Sequence, residues 1–177
     1  MRKIFVVLAA LAVCAPAWGR RPSMKTFIKN FEAASSDERV RMAPALGRAR
    51  DKKATDALIL AFDIKRGNPK ESTAYVEALG MSGDPRAVAP LATAWDYMRS
   101  MILQMGELPG QLQVLRWKIL EALSLLGGDQ AVAILVESLN DKDPRVIEEA
   151  VRCLGRLLVK EVVPTLLQMA GGASGNL

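Results

Sequence analysis

Two columns of leucine run along this chain in step. Leu46, Leu79, Leu123 and Leu154 follow the small residues Ala45, Ala78, Ala122 and Cys153, and all but Leu123 precede a glycine (Gly47, Gly80, Gly155). A second column, Leu58, Leu91, Leu135 and Leu166, trails the first, and both columns advance by the same 33, 44 and 31 residues. A period of about 30 residues with apolar positions at helical spacing means two helices per unit, and no such unit buries its apolar face alone. The pattern therefore predicts an all-α solenoid with units over 37–66, 68–105, 109–140 and 142–170. A capping helix over 20–36 should precede them, with Ser23 as its N-cap and Phe27, Ile28 and Phe31 on one face. Residues 171–177 read as a flexible tail.

Polar punctuation supports these boundaries. Ser35 and Glu38 form a capping-box pair ahead of the first unit. Asn68-Pro69, Asp84-Pro85 and Asp143-Pro144 each place a side-chain acceptor directly before a proline. The acceptor satisfies an orphan backbone N–H, and proline at the first helical position sacrifices no hydrogen bond. The small position before each leading leucine (Ala45, Ala78, Ala122, Cys153) is expected to be buried. The cysteine there should behave as a small hydrophobe rather than a reactive thiol.

The fourth unit carries Asp143-Pro144-Arg145-Val146, Glu149-Ala150-Val151-Arg152-Cys153-Leu154-Gly155 and Val162-Val163-Pro164-Thr165-Leu166. The second repeats its closing half as Gly83-Asp84-Pro85-Arg86-Ala87-Val88-Ala89-Pro90-Leu91. Over roughly Asp37 to Ala170 this resembles HEAT-like repeats, especially the short class first noted in phycobilin lyases. The resemblance implies a right-handed α-solenoid of about four HEAT-like helix pairs, first helices convex and second helices concave. It also implies a binding scaffold in most members, and an enzyme or enzyme chaperone in a minority.

The 44-residue spacing departs from that pattern. The extra residues, roughly Tyr97 to Gln113, read as a second helix overrunning its usual end and a late-starting third unit. Met98, Met101 and Met105 form a stripe on that overrun, either extra core or an adaptable contact surface. Trp95 falls in register with Phe62 and Leu139 and is assigned to the core, which leaves Tyr97 as the better contact residue. On the second helices, Asp56, Leu60, Asp63, Thr93, Asp96, Glu137, Asn140 and Gln168 face away from the leucines. The expected partner-binding set is thus Leu60, Thr93, Tyr97, Met98, Met101, Met105, Glu137 and Gln168. Arginines (Arg39, Arg41, Arg48, Arg116, Arg145, Arg152, Arg156) favour the first helices and read as solvated faces.

Composition narrows the chemistry. Half of the residues are hydrophobic and only 5% aromatic, a palette for close helix packing. There is no histidine, so no Ser–His or Cys–His centre exists, nor the His/Glu di-iron site of the hydroxylase branch of HEAT-like proteins. Two cysteines cannot make a zinc cluster. No catalytic, metal or cofactor residues are expected. Glu77, Glu121, Glu148 and Glu149 read as ordinary helix-surface carboxylates. At the N-terminus, Arg2-Lys3, the apolar run Ile4 to Val13 and the small residues Ala15 to Gly19 have the order of a signal peptide over 1–19. Its removal would take the net charge from +5 to +3, through loss of Arg2 and Lys3. The expectation is an exported protein, periplasmic or extracellular, without a membrane span and without a nucleic-acid partner. Cys14 resembles a lipidation site only loosely, because Val13 stands where a small residue belongs. The apolar last helix (Val162, Val163, Leu166, Leu167, Met169) suggests a homodimer contact. The functional expectation is a non-catalytic scaffold for another envelope protein. The alternative is a lyase-like enzyme or enzyme-maturation factor.

Overall fold

The computed structural model describes residues 23–65 and 67–157. The signal segment, Cys14, Leu166, Gln168 and the C-terminal helix proposed for dimerisation lie outside the described residues. Within them the chain forms α1 (Met24–Ala33), α2 (Ser36–Ala49), α3 (Lys52–Ala61), α4 (Pro69–Ser82), α5 (Val88–Met105), α6 (Gly110–Leu126), α7 (Asp129–Glu137) and α8 (Pro144–Leu157). Short 3-10 turns at Pro85–Ala87 and Ser138–Asn140 precede α5 and follow α7, respectively. No strand occurs among the described residues.

The helix starts follow from their caps. Ser23 accepts from the Thr26 N–H, and Asn68 and Asp143 accept from the Lys70 and Arg145 N–H groups at 2.9 Å each. Asp84 accepts from the Arg86 N–H at 3.0 Å and opens the 3-10 turn ahead of α5. At Ser35 the backbone N–H and the hydroxyl both donate to the Glu38 carboxylate. Each such cap stabilises its helix by about 1 kcal/mol.

The described members of both leucine columns are core. Leu46, Leu58, Leu79, Leu91, Leu123, Leu135 and Leu154 are fully buried, with Trp95 and Leu139 beside them and Phe62 half-buried. The first helices α2, α4, α6 and α8 stack directly on one another, whereas the second helices α3, α5 and α7 touch each other sparingly. Each second helix instead packs against the first helix of the next unit.

Small residues set the spacing of the first-helix row. A Cβ on Gly47 would lie 2.3 Å from the Ala78 carbonyl oxygen, and one on Gly80 would lie 2.9 Å from the Ala122 Cα. Each glycine therefore receives the small residue of the following unit. Ser124 takes the glycine's place in the third unit and lies against Cys153. Ala45 departs from expectation. It is exposed, because no preceding unit supplies a glycine to cover it, while Ala78, Ala122 and Cys153 are buried.

Arg116 is a second correction. It is not on a solvated face but 95% buried, at 5% exposure. Its guanidinium carbon sits 4.6 Å from the Trp95 ring centroid, and its two terminal nitrogens engage the Asp141 carboxylate. Asp141 also accepts the Asp143 N–H at 2.9 Å, so one carboxylate orders the turn into α8 and neutralises a cation from α6. A buried arginine is tolerated when a carboxylate and an aromatic face replace its water.

Candidate partner-binding surface

Helix α5 decides which residues of the second-helix layer reach solvent. At 100° per residue, Leu91, Trp95, Met98, Ile102 and Met105 fall on its core side. Burial fades along that stripe: Met98 is 0% exposed, Met101 and Ile102 are half-buried, and Met105 is 62% exposed. The cause is length. The 18-residue α5 outruns its neighbours, the 10-residue α3 and the 9-residue α7. Met98 is accordingly core and not a contact residue, and Met101 packs against the core.

The opposite stripe of α5 holds Thr93, Asp96, Ser100 and Leu103. Thr93 and Asp96 are exposed, and Leu103 is 85% exposed. Leu60 on α3 is 84% exposed. Leucines that stand this far into water are not required by any packing of the described helices. Sequence counting found Leu60 and Thr93 but passed over Leu103, which is off the methionine stripe. Its spacing of seven from Asp96 would have revealed it.

Polar contacts stitch this layer together. Arg86 reaches from α5's leading turn to Asp56 on α3 at 2.7 Å and also holds Asp84. Those carboxylates keep Arg86 protonated far above the ordinary range, and the Arg86 guanidinium holds Asp84 below the usual carboxylate value. The Lys65 ammonium lies 5.6 Å from the Tyr97 ring centroid, and Arg99 pairs with Glu137 at 2.5 Å. Glu137 is therefore occupied in bridging α5 and α7, and Tyr97 in holding the turn that follows α3. Asp63 accepts the Lys65 N–H. What this leaves open to a partner is Leu60, Thr93, Asp96 and Leu103, with Met105 at the helix end.

The surface carboxylates singled out in the sequence are engaged with cations. Glu77 and Glu121 converge on the Lys118 ammonium at 2.9 and 3.1 Å and hold it above the usual lysine range. Glu148 and Glu149 both bind Arg152, at 2.8 and 2.6 Å. Burial pushes the Cys153 thiol up to about 11, with the nearby Glu149 carboxylate adding to the effect against a hydrogen bond from Ser124. No group of three or more carboxylate or thiol side chains is arranged to hold a metal among the described residues. No described helix is long and apolar enough to cross a membrane.

Residues 109–175 match the family model for HEAT repeats. Among solved structures, human deoxyhypusine hydroxylase in complex with glycerol is similar at 22% identity and a TM-score of 0.36. The likeness covers 84% of this chain and 66% of that one, just under two thirds of its length. No curated protein matches the chain.

Proposed function

From the premise that the chain is a HEAT-like repeat protein, a helical repeat scaffold, we propose that it is non-catalytic and binds another protein through its second-helix layer. The observation that carries this reading is the pair of leucines, Leu60 and Leu103, held 84% and 85% exposed on two neighbouring second helices. An apolar side chain in water gains roughly 1.5–3 kcal/mol on full burial, so two of them with a polar surround suit a moderate-affinity interface. Thr93 and Asp96 would supply the polar complement beside Leu103. The signal-like N-terminus supports an exported protein, acting in the periplasm or outside the cell on an envelope or secreted partner.

The test is a quantitative pull-down from native envelope extract, comparing the wild type with Leu60→Asp/Leu103→Asp. A Val151→Asp variant serves as control, because Val151 is an exposed residue of a first helix. The reading expects one stoichiometric partner, lost in the double variant and kept by the control. Equal recovery in all three would refute the assignment of the surface.

A further inference from the structure

The first-helix face carries a feature that scaffold packing does not use. Four residues after Leu79 and Leu123 the helix ends on a glycine at positive φ: Gly83 has φ 65° and Gly127 has φ 69°. At the equivalent place in the first unit stands Arg50, with φ 49°, the one non-glycine residue at positive φ among those described. An L-residue there is strained where glycine would not be, so the fold gains nothing from the arginine backbone. Arg48 and Arg50 are both exposed, and neither has an ion-pair partner among the described residues. The nearest acid in sequence, Asp51, is occupied in capping α3 through the Lys53 and Ala54 N–H groups.

These two arginines open onto a depression floored by Gly80, Met81 and Leu125. Leu125 is 50% exposed, and the open backbone at Gly83 leaves the entrance clear. A second depression shares Met81 and Leu125 and continues to Glu77, Lys118 and Glu121. There two carboxylates share one ammonium, so that end is net negative. The result is a groove across α2, α4 and α6 that runs from cationic through apolar to anionic. With helix axes about 8–10 Å apart, it spans roughly 20 Å, the length of about six extended residues.

We propose that this groove is a binding site for an extended peptide segment of a partner protein, acidic at one end, apolar in the middle and basic at the other. Arg48 and Arg50 hold the carboxylates, Met81 and Leu125 receive the apolar side chains, and the Glu77–Glu121 pair meets the cation. The order of charges argues for a peptide over an anionic membrane surface, because a uniformly negative surface would be repelled by the Glu77–Glu121 end. This site is separate from the Leu60–Leu103 surface, and it stands or falls independently of it.

The probe is the acetylated and amidated hexapeptide Asp-Asp-Leu-Leu-Lys-Lys, titrated into the isotope-labelled full chain while the amides of Gly80, Gly83 and Leu125 are followed. Binding should shift these three amides saturably, and Arg48→Glu/Arg50→Glu should weaken it at least tenfold. That variant should in turn favour Lys-Lys-Leu-Leu-Lys-Lys, in which the acidic end is inverted. Arg50→Gly should raise the melting temperature yet weaken peptide binding, a combination that an arginine of purely structural role would not give. The proposal is overturned if the peptide leaves these amides unmoved or if the charge-reversed variant binds it as well as wild type does. It is equally overturned if phosphatidylglycerol vesicles or inorganic phosphate perturb the same amides while the peptide does not.

Discussion

Replacing Gly47 with alanine tests the packing of the first-helix row most directly. The added Cβ would lie 2.3 Å from the Ala78 carbonyl oxygen, 2.8 Å from its Cα and 2.9 Å from its carbonyl carbon. Ordinary carbon–oxygen contacts fall at about 3.3–3.6 Å, so α2 and α4 must separate by roughly 1 Å. The obstacle is helix backbone on both sides, which cannot rotate away as a side-chain end can. Overpacking of this kind costs about 1–3 kcal/mol, and a backbone clash belongs at the upper end. Alanine gains about 1 kcal/mol over glycine in helix propensity, leaving a net loss of about 2 kcal/mol. In urea denaturation this should lower the midpoint by about 1 M, given a slope of about 2 kcal/mol/M. Gly80→Ala meets Ala122 at 2.9 and 3.0 Å and should lose less. Gly110→Ala meets nothing within 4 Å and should lose nothing. If Gly47→Ala were as stable as Gly110→Ala, the first helices would not be spaced by this contact and the reasoning would fail.

Other outcomes follow from the same structure. Asp141→Ala strands the Arg116 cation, whose side chain is 6% exposed, and should cost about 3 kcal/mol by chemical denaturation; a loss under about 1 kcal/mol would contradict a buried pair. Hydrogen bonds from Ser35, first from its backbone and then from its hydroxyl, hold Glu38 below its ordinary value of 4.5. The stability this confers is present above that value and lost as pH falls through the lower folded one. Glu38→Gln should therefore flatten the acid limb of a stability-against-pH curve. In a Cys14→Ser background Cys153 is the only thiol, and its reaction with Ellman's reagent at pH 8 should track unfolding rather than reagent concentration. Because its folded value is raised from 9.0 to about 11, the thiol's contribution to stability should also fall as pH climbs from 9 toward 11.

How much of this was legible in the sequence depended on the range of the interaction. Caps are local, so Ser23, Ser35, Asn68, Asp84 and Asp143 could be read directly from a few neighbouring residues. The leucine columns were legible because repetition supplies its own register. Burial of Arg116 was not, since its partners Trp95 and Asp141 lie 21 and 25 residues away and no repeat of the pattern announces them. Ala45 misled for a related reason. Its sequence context equals that of Ala78, but burial at this position comes from the preceding unit, and the first unit has none. On the candidate surface, Leu60 and Thr93 were found by counting away from the leucines. Met98 was misassigned because the methionine stripe shares the core side of α5, and only the relative lengths of three helices decide where that stripe emerges into water.

The glycine and alanine contacts have a mechanical consequence. First helices meet backbone to backbone, while the direct ties between second helices are long, solvent-facing side chains such as Arg99 with Glu137. Sheets bound along one edge behave as a book does: stiff at the spine, free to fan at the fore-edge. Sliding one first helix past the next would drive a carbonyl into a Cα, whereas the direct ties between one second helix and the next are exposed contacts such as the Arg99–Glu137 ion pair, worth about 0–1 kcal/mol each. The softer of these two motions is therefore a fanning that changes the gap between Leu60 and Leu103, limited by the packing of each second helix on the first helix of the next unit, and it lets the surface adjust to a partner of slightly different width.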